Sequence, residues 1–197
     1  MIQSEAVDSG INPSDSLGLA LRSACGGGGR ARWCTVRPGR NLRRQGNLAI
    51  HLYAVARGSC WVEIGAGGSP VHLLRGDMAV LPGGAGHRLG VKSHVRSRAA
   101  AEAVVAWGQV SLDKAHRSRL LEGLAPVIRL GQGEGRLGGW LQETLCLAAD
   151  QSRRGGLGTE AIVDLLLEGV LVQALRTHLT AQQRRQRGPL QAVLEVA

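Results

Sequence analysis

The chain has no phenylalanine and one tyrosine, Tyr53, among its 197 residues. A stacking platform for single-stranded nucleic acid needs several exposed rings, so that function class is disfavoured. No apolar run approaches membrane-spanning length. The N-terminus has no basic segment followed by an apolar core, so no secretory signal is read there. Cysteine is sparse: Cys25, Cys34, Cys60 and Cys146 are scattered without metal-like spacing. Without an export signal they read as reduced, buried thiols of a cytoplasmic protein. No Ser/His/Asp or Cys/His order stands out, and no close carboxylate pair lines an inferred strand. Nothing supports hydrolysis or phosphoryl transfer. The Gly26–Gly29 run lacks the Gly-Lys-Ser/Thr ending of a phosphate loop and reads as a connector.

Glycine and positive charge are abundant. The formal charge is +9, nearly all of it from arginine. The arginines fall in separate clusters, at 30–44, 96–98, 117–119, 153–154 and 184–187, with no aromatic interleaving and no single basic helix. That distribution favours solvated surface over a nucleic-acid footprint. The apolar fraction is ordinary, and the length suffices for one buried core with a helical appendage.

The pattern changes along the chain. Residues 1–30 read as an N-terminal arm with a short helix capped by Ser14 or Ser16. Residues 31–110 read as all-β, with short apolar segments separated by glycine turns. In Leu48–Ala56, His51, Tyr53 and Val55 share one face, and Ile50, Leu52 and Ala54 the other. Both faces are largely apolar, which predicts a central strand. Residues 111–187 read as helical: Leu112–Leu124 carrying His116, then Gly139–Gln151, then the best helix, Glu160 to about Leu179, capped by Thr159. Pro126–Leu130 is expected to be an extended bridge, and Ala181–Gly188 a charged linker. The last helix is apolar around much of its circumference, so a second cover besides the barrel is expected. Leu166, Gly169, Val170 and Leu171 are the candidate dimer contacts, with an isologous helix pair as the natural interface.

The densest motif is Gly76-Asp-Met-Ala-Val-Leu-Pro-Gly-Gly-Ala-Gly-His87. Gly76 tolerates positive φ and Asp77 can bond nearby backbone, so a tight turn is expected before a short buried strand. The spacing of Gly76, Pro82, Gly84 and His87 resembles the second motif of the cupin β-barrels. With His51 to Ile64, which contains a Gly-Ser-Cys-Trp turn, and with Trp140-Leu141 and Leu167–Leu179, the chain resembles the N-terminal effector-binding region of an AraC-type transcription regulator. The resemblance covers about residues 14–197. It implies an α+β, mainly β fold: a cupin-like double-stranded β-helix, or jelly-roll barrel, followed by a C-terminal helical dimerisation region. It also implies a small-molecule effector, a homodimer, no membrane and no enzymatic activity. DNA would be contacted only through helix-turn-helix units expected beyond residues 188–197. The abrupt apolar end favours a cut fragment.

Metal-binding cupins carry His-x-His and a downstream Glu, completed by the second-motif His. Here His51 is followed by Tyr53 where the second His would stand, and Arg57 lies near the Glu position. His51 and His87 are thus weak metal candidates, and no cofactor is expected. The expected ligand-binding residues are His51, Tyr53, Trp61 and His87. The competing reading of these groups is a set of satisfied core polar side chains. A small metal-dependent cupin enzyme, of dioxygenase or isomerase type, is the alternative function.

Overall fold

The structure, a computed structural model, describes residues 25, 28–47, 49–92, 102–113, 121, 123–131 and 136–194. The expected N-terminal helix, His94, Arg96–Arg98 and most of the expected helix around His116 lie outside the described residues.

Among the described residues, nine strands form two antiparallel sheets. They are β1 (Arg30–Val36), β2 (Leu42–Arg44), β3 (Ala49–Arg57), β4 (Ser59–Ile64), β5 (Val71–Leu74), β6 (Met78–Leu81), β7 (His87–Gly90), β8 (Ala103–Ser111) and β9 (Ile128–Leu130). One sheet has the order β1-β8-β3-β6-β9, and the other β2-β7-β4-β5. This is the jelly-roll arrangement the sequence predicts, and β3 is the central strand of the larger sheet. The turn before β6 forms as expected. Gly76 has φ of 88°, and the Asp77 carboxylate accepts the Leu74 N–H at 2.8 Å. Arg129 on β9 donates to the same carboxylate at 2.7 Å, which pins the edge strand to that turn. The bridge expected at Pro126–Leu130 therefore ends in a strand of the sheet.

Two cores follow from the period-2 alternation of the large sheet. Between the sheets lie Val36, Tyr53, Val55, Cys60, Val62, Leu73, Ala79, Leu81, Leu89, Val105 and Trp107. Outside the large sheet, Ile50, Leu52, Ala54, Val80 and Ala106 pack with two helices. The helices are α1 (Arg136–Arg154) and α2 (Thr159–Leu194). Leu141, Leu145 and Ala148 of α1, and Val163, Leu167, Val170, Leu171 and Ala174 of α2, are buried in this second core. Val170 and Leu171 are fully buried within the chain, so the expectation that they meet a dimer partner is corrected. They lie on the barrel side of α2. On the opposite side Leu165 is 70% exposed and Ile162 44%. Leu166 is partly buried against the core. A Cβ on Gly169 would meet nothing within 4 Å, so that position is open.

α2 does not stop near Leu179. The linker expected at Ala181–Gly188 is helix instead, because its Gln and Arg residues and Ala181 are good helix formers. Arg176 and His178 are consequently mid-helix residues rather than C-terminal ones. The end of the glycine run also has a partner. The N–H groups of Gly28 and Gly29 donate to the Asp164 carboxylate at 3.2 and 2.6 Å, tying the start of β1 to α2. No helix among the described residues is long and apolar enough to cross a membrane.

Candidate functional site

Four strands bring the polar residues of the barrel interior together at one end. β3 supplies His51 and Tyr53, β7 supplies His87, β8 supplies Trp107 and β2 supplies Arg44. Cross-strand register places them: His51 lies opposite Gln109, Tyr53 opposite Trp107, and Arg44 opposite His87. His51, Tyr53 and His87 are 1%, 1% and 4% exposed. Groups buried this deeply need partners.

Each finds one. The Trp107 indole N–H donates to His51 Nδ1 at 3.1 Å. Indole has no acceptor there, so Nδ1 carries the lone pair and Nε2 the proton. The His51 Nε2–H then donates to Asn47 Oδ1 at 3.1 Å. His87 has the opposite tautomer. Its Nδ1–H donates to the Ala85 carbonyl at 2.8 Å, and its Nε2 accepts the Tyr53 hydroxyl at 2.6 Å. The two imidazoles meet edge to face, with centroids 4.8 Å apart. The Arg44 guanidinium caps the cluster, 4.1 Å from the Trp107 ring centre, with Nη2 4.0 Å from Cys34 Sγ.

The electrostatics keep both rings neutral. Burial, with the nearby His87 and Arg44, pushes His51 down to about 4. Burial also lowers His87, against the opposing hydrogen bond to Ala85. Tyr53 is raised by burial and stays a hydroxyl donor. The Cys34 thiol is raised as well, because burial outweighs the charges of Arg44 and Arg32.

His51, Tyr53 and His87 are therefore assembled as the sequence suggests, and Trp61 is not with them. On β4, Cys60 and Val62 face the interior. Trp61 and Glu63 face outward, where they line a shallow surface groove with Asn41, His72, Arg88 and Lys92. Arg88 pairs with Glu63 through two bonds of 3.0 Å, holding that carboxyl below its ordinary range. Arg57 is also misplaced by strict alternation, which sets it on the His51 face. A β-bulge between Val55 and Arg57 shifts the register and pairs Arg57 with Val104. The side chain turns outward and pairs with Glu102. The cation beside the histidines is Arg44 instead. Composition and motif spacing do not single out Arg44, Asn47 or Trp107. Arg44 belongs to a basic cluster, although its two-residue offset from apolar Leu42 gives an inward face. Trp107 shares parity with Val105 and Ala103, a usable signal.

A family model described as Cupin matches residues 15–180. The chain belongs to the cupin family. No curated protein matches it in sequence. Solved structures with a similar arrangement include ToxT from Vibrio cholerae O395, 7% identical over 76% of this chain and 55% of that one, with a TM-score of 0.45. An unsaturated-fatty-acid-bound ToxT from strain SCE256 is 8% identical over 76% and 55%, with a TM-score of 0.41. YhaK from Escherichia coli is 12% identical over 56% of this chain and 45% of that one, also at 0.41.

A cupin barrel raises the question of a metal. The donor set here does not fit one. Among the described residues no three His, Cys, Asp or Glu side chains converge. The single lone pair of each imidazole is already engaged, by Trp107 on His51 and by Tyr53 on His87. A metal would have to displace both and then face the Arg44 charge, with no carboxylate among the described residues beside the pair to offset it. What the cupin interior offers chemically is a set of neutral donors and acceptors beside one cation.

Proposed function

We propose that this cupin is the effector-binding and dimerisation part of an AraC-type transcription regulator, cytoplasmic, without catalytic activity and without a metal. The supporting observation is the thinness of the wall between the polar cluster and the helices. Trp107 faces the barrel interior and touches His51, while its neighbour Gly108 faces outward. A Cβ on Gly108 would lie 2.7 Å from a Leu167 methyl and 2.8 Å from a Leu145 methyl. Both helices thus rest directly on the backbone that carries Trp107. On β3 the same division sets His51 and Tyr53 inside and Leu52 against the helices.

A small molecule that prefers one arrangement of Trp107 and His51 biases the seating of α1 and α2 through one strand. Differential affinity for the two arrangements is what such a sensor requires. The open face of α2, with Ile162, Leu165 and Gly169, is the surface we assign to a second copy, and the DNA-binding units are expected to follow α2. The sequence motifs at 51–64, 76–87 and 167–179 support the AraC-type assignment. A thermal-shift screen of metabolites tests the reading, because a ligand of the folded state raises Tm. A hit is expected, its shift lost in His51→Ala. Light scattering on the same samples should give a dimer. A panel without hits, and a monomer at high concentration, would overturn the proposal.

A further inference from the structure

The charges at the His51 end of the barrel are unbalanced. Arg32 lies opposite Trp107 on the large sheet, and Arg44 opposite His87 on the small one. Residues directly opposite in an antiparallel pair share a face. Both arginines therefore stand on the faces that enclose the interior, one from each sheet. Arg44 is half-buried and Arg32 exposed. Both act electrostatically on Cys34, which sits between them.

Five other described arginines have carboxylate partners. Arg37 and Arg57 share Glu102, Arg88 holds Glu63, Arg129 holds Asp77 and Arg153 holds Asp150. Neither Arg32 nor Arg44 has a carboxylate at ion-pair distance among the described residues. Arg44 is half-buried over the Trp107 ring, so its charge is less screened by water than that of the exposed Arg32. An anion beside Arg44, with Arg32 at its solvent side, would supply the missing counter-charge. A planar guanidinium offers paired N–H donors that match a carboxylate in a fork. Beneath it, Val36, Tyr53, Val62 and Leu89 are packed apolar core, surroundings that favour an organic body over a hydrated ion.

We propose that Arg44, with Arg32 from the facing sheet, binds the carboxylate of a small organic acid at the His51 end of the barrel. The assignment rests on the sensor reading above and gives its effector a chemical class. Arg44 is the movable member. Leaving the face of Trp107 for the ligand, it frees the indole to receive a flat or apolar body. The signal then begins at the residue whose neighbour supports both helices.

The test uses benzoate, its uncharged analogue benzamide, and inorganic phosphate as probes. In ¹⁵N-labelled protein the Arg44 Nε–H resonance, assigned by its loss in Arg44→Gln, is followed through each titration. Benzoate is expected to move it saturably and to raise Tm, with affinity falling roughly tenfold or more in Arg44→Gln. Arg44→Lys should keep part of the affinity. Benzamide should leave the resonance in place. Equal affinity of benzoate for wild type and Arg44→Gln would overturn the proposal. Phosphate binding more tightly than benzoate would overturn the carboxylate class. Benzamide binding equally well to wild type and Arg44→Gln would leave a ligand barrel standing and remove the anion. Failure of all three probes at millimolar concentration would count against both readings.

Discussion

The two sheets of this barrel are built to different rules. The large sheet is covered on both faces, by the barrel interior and by α1 and α2, and its central strand β3 is apolar at nearly every position. Among the described residues, α1 and α2 pack on the large sheet, and no helix covers the outer face of the small one. Its strand β4 turns Cys60 and Val62 inward and Trp61 and Glu63 to that outer face, where Arg88 and the Gly67 N–H hold the buried Glu63 carboxylate. The contrast teaches where information can travel. A change inside the barrel reaches the helices through the large sheet, one residue away. Through the small sheet it reaches only the outer surface.

Substitutions can break this contrast, and the largest effect belongs to the doubly covered sheet. Leu52→Ala empties a fully buried site under both helices. It is expected to cost about 3 kcal/mol in urea unfolding. A loss below ~1 kcal/mol would mean that the helices do not seat there as described.

The next effect concerns the neutral cluster. His51 falls from 6.5 to about 4 on folding. The unfolded chain therefore binds more protons between those values, and stability falls as pH drops through that window. The neutral ring contributes fully above about pH 6.5 and loses that contribution toward pH 4. The expected decline is on the order of 2 kcal/mol, measured as unfolding free energy against pH. His51→Gln should flatten the slope. An unchanged slope would place the acid sensitivity elsewhere.

The smallest effect belongs to the open face. Trp61→Ala should cost about 1 kcal/mol or less and leave the affinity for the proposed effector unchanged, because the ring lies outside the barrel. A lost thermal shift in that variant would return Trp61 to the binding site.

Much of this division was legible in the sequence. Apolar residues on both parities of β3 announced a central strand, and Gly76-Asp77 announced the turn before β6. The His51, Tyr53 and His87 cluster followed from parity together with the motif spacing. Other features depend on information that period and composition do not carry. β9 has three residues, and only its pairing with β6 and the Arg129–Asp77 contact make it a strand. Arg57 faces outward because of a bulge, which a strict count of two cannot register. Trp61 misled because a large apolar side chain on an uncovered sheet looks like core when its cover is unknown. Arg44 was hidden by its neighbours: within a basic stretch, only the strand β2 decides which guanidinium turns inward.

The adjacent pair Trp107 and Gly108 has a further consequence for how β8 tolerates change in length. Side chains of consecutive residues serve different compartments, so most single substitutions affect one of them. A one-residue insertion just before Trp107 affects both at once. It would turn the indole toward Leu145 and Leu167, where even a Cβ would have to push leucine methyls aside, and would leave a glycine facing His51. At this place the fold is far stricter about counting than about chemistry.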